Sequence, residues 1–283
     1  MIQTTEQVVT VLAVGVSPQA QPHYPNSFKH TITWAEHNRL SPQEAQERFM
    51  HIAVLRVLAG APRFRARLVL RGAGAMYLFY GNQRPTADID LLDLGMPPNP
   101  SPAQCRSVET AVGKCLAEGL PSLFPNYAKW GAYLRSRVQV HVSPRRSLLR
   151  FGRIDLCSSP KICIGVADLH FLISEKIVGI LSRHWPSEKA RGQDVADIAA
   201  MVAKFGDGLH PPLINEYFRS RCTVEPRLAS VGFDLPLREA LASAYNTHDK
   251  KALPLAIPFD KAWDAVLKLA RQMAVPVSDQ VIG

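Results

Sequence analysis

One stretch constrains the fold more than any other: Leu68-Val-Leu-Arg-Gly-Ala-Gly-Ala-Met-Tyr-Leu-Phe-Tyr-Gly-Asn-Gln-Arg-Pro-Thr-Ala-Asp-Ile-Asp-Leu-Leu-Asp93. Leu68 to Leu70 reads as a strand, and Gly72 and Gly74 break it. An apolar helical turn from Ala75 to Tyr80 follows, with Gly81-Asn82 as its C-cap. The chain then re-enters a strand at Asp88-Ile-Asp90. Alternate strand residues share a face, so Asp88 and Asp90 point one way while Ile89 and Leu91 point to the core. Asp93 falls out of phase with the pair.

Adjacent carboxylates repel each other, and a divalent cation between them removes the conflict. Mg²⁺ takes one or two carboxylates plus substrate phosphates. The glycines upstream let backbone N–H groups approach a phosphate, and the following helix adds its positive end. A lone Asp-x-Asp reads as a solvated strand end; with a glycine turn upstream, the combination equips a chain for phosphoryl or nucleotidyl transfer.

Gly72-Ala73, the helix and Asp88-x-Asp90 resemble the signature of the DNA polymerase β-type nucleotidyltransferase superfamily. The fuller text, from Leu70-Arg-Gly-Ala-Gly-Ala-Met to Arg84-Pro-Thr-Ala-Asp-Ile-Asp90, resembles the AbiEii-type toxins within it, the toxin halves of type IV toxin–antitoxin systems. Ala73 and Gly74 stand where that family has a second Gly and a hydroxyl residue, which leaves phosphate contacts there to the backbone. The resemblance implies Mg²⁺ at Asp88 and Asp90, nucleotide contacts from Arg71, Gly72, Ala73, Gly74, Arg84 and Thr86, and an RNA acceptor, the tRNA 3′ end. Thr86 would touch phosphate or be a modification site; Arg84 would contact phosphate or hold its loop.

A chain of 283 residues that is 47% hydrophobic and 20% charged can bury a real core. No apolar run is long enough for a membrane span. Val8 to Val16 is short, follows Glu6, and lacks a basic region and a cleavage site, so no signal peptide is expected. None of the five cysteines forms a Cys-x-x-Cys pair; neither a zinc site nor a disulfide framework is indicated, and a reducing cytoplasm is the simplest setting. The net charge of +9 favours polyanionic partners.

Residues 1–40 are weakly patterned, an arm or short helix. Ser41-Pro-Gln-Glu44 is a capping box with proline at the first helical position. It opens a helix to about Leu58 whose buried stripe is Ala45, Phe49, Ile52, Ala53 and Val57. Arg63, Arg65, Arg67 and Arg71 read either as a solvated edge or as a basic approach to phosphates. Ser101 opens a helix to about Glu118. Phe124, Tyr127 and Trp130 would stack on bases or lie under a loop.

Arg137 to Ser143 alternates as a strand, with the valines on one face and Arg137, Gln139 and His141 on the other. Arg150 to Cys157 is a second strand, on which Asp155 opposes Ile154 and Leu156. Asp155 reads as a surface residue paired to an arginine, or as the third carboxylate of a two-metal centre; the resemblance implies the latter. Lys161 to Val166 is another strand.

From Ala167 the text turns helical. Asp168 caps a helix to Arg183 with Glu175, Lys176 and Arg183 on its polar side. A second helix from Arg191 carries Asp194 and Asp197 on one face. These read as a salt-bridged helix pair, or, since Glu175-Lys176, Arg183 and Arg191-x-x-Asp194-x-x-Asp197 resemble the second AbiEii-type block, as a cleft where Lys176 and Arg183 meet the nucleotide's phosphates and Asp194 lies opposite. Further helices span Leu213 to Arg221, Pro236 to Tyr245 and Asp260 to Val275.

The expected architecture is α+β: a nucleotidyltransferase mixed β-sheet with helices, followed by a C-terminal helical domain. The expected divisions are an arm (1–40), the nucleotidyltransferase part (41–166) and the helical part (167–283). Catalytic roles fall to Asp88, Asp90, Asp155, Lys176 and Asp194, with Asp88, Asp90 and Asp155 as metal ligands. Expected partners are an NTP, RNA and a cognate antitoxin, with no membrane. The alternatives are transfer to a small molecule or protein, and a non-catalytic RNA-binding relative.

Overall fold

The computed structural model describes residues 16–18, 24–25, 27–124, 139–144, 149–158, 161–184, 191–251 and 257–281. Its centre is a five-stranded mixed sheet in the order β3-β2-β1-β5-β4. These strands are β1 (Leu68–Arg71), β2 (Asp88–Asp93), β3 (Gln139–Pro144), β4 (Phe151–Ser158) and β5 (Lys161–Ala167). β1 runs antiparallel to β2 and parallel to β5; β3 is parallel to β2, and β4 antiparallel to β5.

Register sorts the side chains into two faces. Arg71 pairs with Asp90, Asp90 with His141, and Asp88 with Gln139, so these share one face. Leu70, Ile89, Leu91, Ile154, Ile164 and Val166 occupy the other and are buried. Against that apolar face lie α2 (Pro42–Gly60) and α3 (Gly72–Phe79). α2 begins where the capping box places it: Ser41 accepts from the Glu44 N–H at 3.2 Å. α1 (Thr31–Asn38) packs on α2. α4 (Pro102–Gly119) has its full Ser101/Gln104 capping box. Phe124 is buried against Phe28 and Phe49, so it belongs to the core and not to a base-stacking platform. Tyr127, Trp130, Arg137 and most of the N-terminal arm lie outside the described residues.

After β5 come α5 (Leu169–Leu181), α6 (Gly192–Phe205), α7 (Pro211–Val224), α8 (Leu235–Lys251) and α9 (Phe259–Gln272). The Asp168 carboxylate caps α5 by accepting from the His170 N–H at 2.9 Å. α6 packs on α8 and α9, and α5 on α7, around Trp263, Val266, Ile198 and Phe218. No described helix is long and apolar enough to cross a membrane.

Candidate active site

The parallel pairing of β1 with β5 brings their carboxyl ends to one edge of the sheet. The antiparallel return of β2 starts there, and so does β3. Asp88 is exposed at that edge and Asp90 is half-buried beside it.

α3 starts directly on this edge. The expected helix from Ala75 begins instead at Gly72, so the glycine turn is itself the helix's first turn. Gly72 has φ +67°, a backbone state that L side chains rarely adopt. A Cβ there would lie 2.3 Å from Asp90 Oδ2, and one on Gly74 would lie 3.0 Å from the Asp88 carbonyl. The Asp90 carboxylate therefore packs against bare backbone at the amino end of α3. Gly72→Ala is expected to cost about 1–2 kcal/mol of stability from backbone strain. It should reduce activity further, because the methyl group displaces Asp90. Urea denaturation and transfer assays on the variant check both effects.

Arg71, at the end of β1, donates to Glu175 Oε2 at 3.1 Å and to Ser143 Oγ at 3.2 Å. Arg67 forms a paired bond to the buried Asp93, at 3.0 and 2.9 Å. Asp93 is thereby a structural residue, as its phase implies, and Arg67 is not part of a phosphate approach. Thr86 Oγ1 accepts from the Asp88 N–H at 3.2 Å and holds the entry to β2.

Lys176 lies in a different setting from the one its helix position suggests. It is buried, with Nζ 2.8 Å from Asp194 and 2.7 Å from Asp197. Arg84 clasps Asp197 from the α3–β2 loop through Nε at 2.7 Å and Nη2 at 2.5 Å, and Asn82 donates to the same carboxylate at 2.7 Å. Two cations and two anions thus tie the loop before Asp88 to α5 and α6. α6 covers the Lys176 ammonium and supplies two counter-charges. Arg84 likewise holds its loop. Arg183 sits half-buried in the 3₁₀ turn after α5, about 10 Å along the helix from Lys176.

Burial works against each charge in this cluster, and the partners outweigh it. Desolvation would lower Lys176, but Asp194 and Asp197 raise it overall. Burial would lower Arg84, but its bonds to Asp197 raise it. Burial would raise Asp197, yet the Lys176 and Arg84 charges hold its carboxyl far below the usual range. A depressed carboxyl contributes stability that is fully present above its unfolded pKa of about 3.9 and is lost as pH falls through the folded value. Stability is therefore expected to fall below about pH 4, with a shallower fall in Asp197→Asn, read from urea midpoints across pH.

Asp155 is not brought to the carboxylate pair. β4 is the edge strand on the far side of β1, three strand spacings (~14 Å) from β2. Its Cys163 partner lies four residues, ~13 Å, below the Ala167 end of β5. There Asp155 accepts from the Cys163 thiol at 2.8 Å and lies 3.7 Å from Lys161. In the structure Asp155 is a surface residue paired with a lysine. On the strand that does adjoin the pair, His141 occupies the position beside Asp90 and is exposed. Sequence alternation placed His141 on a polar face but could not say which strand β3 joins. Among the described residues no cluster of three or more His, Cys, Asp or Glu forms a ready metal cage. Two carboxylates on one face, Asp88 exposed and Asp90 half-buried, fit a Mg²⁺ whose remaining ligands are phosphate and water.

No curated protein matches the chain. A solved structure described as a candidate nucleotidyltransferase from H. pylori is similar at 14% identity and TM-score 0.47, covering 83% of this chain and 96% of that one. A family model, "Nucleotidyl transferase AbiEii toxin, Type IV TA system", matches residues 55–269. That span includes the glycine turn, the Asp88/Asp90 strand and the Lys176–Asp194–Asp197 cluster, and the chain belongs to the AbiEii nucleotidyltransferase toxin family of type IV toxin–antitoxin systems.

Proposed function

We propose that the chain uses Mg²⁺ to transfer an NMP from an NTP to RNA, at the tRNA 3′ end, with release of pyrophosphate and arrest of translation. The observation that carries this reading is the Asp90 carboxylate seated against the Gly72 backbone, with Asp88 exposed on the same face. It sets two carboxylates and the amino end of a helix at one point, which supports a shared metal and phosphate site. The +9 charge supports a polyanionic acceptor. Family membership supports a cognate antitoxin, and the cytoplasm is the proposed compartment.

In this mechanism Asp88 and Asp90 would hold the cation, which would supply neutralisation of charge on the nucleotide's phosphates during displacement. The N–H groups at the start of α3 orient the phosphates. Arg71, held by Glu175, faces the same edge. His141, beside Asp90, is positioned to take the proton of the acceptor hydroxyl. Lys176, Asp194, Asp197 and Arg84 position the loop that carries Asp88, and Thr86 fixes its last turn.

Expression in cells tests the acceptor. Sequencing tRNA 3′ ends should show added nucleotides with the wild type and none with Asp88→Ala. Growth arrest with unchanged tRNA ends would overturn the tRNA assignment. Asp155→Ala is expected to retain activity and to change stability by no more than about 0.5 kcal/mol, as an exposed substitution does; a loss of transfer comparable to that of Asp88→Ala would restore Asp155 to the site.

A further inference from the structure

Arg71 stands opposite Asp90 across the β1–β2 pair, on the same face of the sheet. Side chains so placed start ~4.5–5.5 Å apart at Cβ, and opposite charges there attract. An arginine beside a metal-binding carboxylate is a competitor for it. A guanidinium bonded to Asp90 would satisfy the same oxygens with two parallel N–H donors and leave none for a cation. Among the described residues, however, Arg71 has its ion pair with Glu175 and not with Asp90. Nη1 donates to Glu175 Oε2 at 3.1 Å, and Nη2 donates to Ser143 Oγ at 3.2 Å.

Two different elements therefore draw the guanidinium away from the carboxylate it faces. Ser143 is on β3, two residues beyond His141. Glu175 is on α5. The Arg71 and Glu175 side chains are 18% and 21% exposed, so their pair is not the solvent-screened contact that contributes little.

The position of Glu175 is set by the residue after it. Lys176 is locked between Asp194 and Asp197. Successive residues of a helix point about 100° apart, at 3.6 per turn, so Lys176 meets α6 while Glu175 reaches the sheet. Neighbouring residues of α5 thus hold the chain on both sides of α3. Glu175 takes Arg71, immediately before α3, and Lys176 shares Asp197 with Arg84, in the loop after it. Asp90, seated against the Gly72 backbone at the start of α3, adjoins the first of these two holds.

We propose that Glu175 is a positioning residue for the carboxylate pair: it holds the Arg71 guanidinium toward α5 and Ser143, off Asp90, and so keeps Asp88 and Asp90 open to a divalent cation. The inference rests on the metal-site reading proposed above. Glutamine at position 175 keeps the shape of the side chain and removes its charge. Arg71 then turns to the carboxylate opposite it, and the cation has to displace it.

The test measures Mn²⁺ binding to the full chain without nucleotide, from the electron paramagnetic resonance signal of the free ion. Binding by the wild type that is lost in Asp88→Asn/Asp90→Asn locates the ion at the pair. Glu175→Gln is expected to bind Mn²⁺ about tenfold more weakly, the factor that a hydrogen bond between charged groups supplies. Arg71→Met alone should bind no more weakly than the wild type, and Glu175→Gln/Arg71→Met should return to the wild-type affinity. Recovery on removing a second side chain separates this role from a merely structural one, because a disturbed fold is not repaired by losing Arg71 as well; urea midpoints taken beside the titrations check the fold of each variant. Wild-type affinity in Glu175→Gln overturns the proposal, and so does a double variant that stays as weak as the single one. In either case Mn²⁺ binding that depends on Asp88 and Asp90 leaves the metal-site reading standing. A wild type that binds no Mn²⁺ at the pair removes that reading and the proposal with it.

Discussion

Replacing Asp88 and Asp90 by asparagine is expected to abolish nucleotidyl transfer while leaving the metal-free protein as stable as wild type, or slightly more stable. The two carboxylates share a face, Asp88 exposed and Asp90 half-buried against the Gly72 backbone; in the absence of metal their like charges repel. Removing their charge costs no buried partner, in contrast to any substitution in the Lys176 cluster. On the proposed mechanism the catalytic loss follows from the cation they would hold. A metal clamp contributes several kcal/mol of transition-state stabilisation, and each 1.36 kcal/mol is tenfold in rate. The double variant should therefore lose at least about 10³-fold in transfer rate. Single-turnover label transfer, with urea denaturation in EDTA beside it, checks the pair of expectations. A variant that retained a tenth of wild-type activity would remove Asp88 and Asp90 from the chemistry. One that failed to fold would show that they are structural.

The second large effect runs the other way, in stability. Lys176→Met leaves Asp194 and Asp197 buried, with Arg84, paired to Asp197, as the remaining cation of the cluster. Breaking a buried ion pair by removing one partner typically costs about 3–5 kcal/mol, because an uncompensated charge stays behind. Arg84→Met should cost a similar amount for the same reason, and it also releases the Asn82–Thr86 loop that leads to Asp88. Adding Asp194→Asn to Lys176→Met should restore part of the loss by removing the stranded charge. Urea midpoints of the single and double variants measure the coupling. A loss under about 1 kcal/mol for Lys176→Met would mean that Lys176 behaves as a solvated lysine, free to meet a phosphate. In that event the catalytic role expected from its motif would hold and the clasp would not.

What was legible in the chain was local. The phase of Asp88, Asp90 and Asp93 follows from a two-residue period, and the structure puts the first two on the open face and locks Asp93 to Arg67. The caps at Ser41, Ser101 and Asp168 depend on side chains two or three residues from the groups they satisfy, so sequence marks them directly. What was not legible depends on strand order and on what covers a helix. Asp155 alternates correctly and shares the face of Asp88, yet β4 is placed at the other edge of the sheet by pairings that no spacing within the strand encodes. Lys176 lies on what reads as a polar helix side, and only the packing of α6 onto α5 buries it.

The most direct test of the central claim is label transfer with purified components. The chain is incubated with Mg²⁺, total tRNA and each α-labelled NTP in turn, beside Asp88→Ala/Asp90→Ala. The account expects label on the tRNA 3′ end with the wild type alone. Label on protein or a small molecule would contradict the RNA acceptor. Absence of transfer to any acceptor, with RNA binding intact in the double variant, would contradict the enzyme itself.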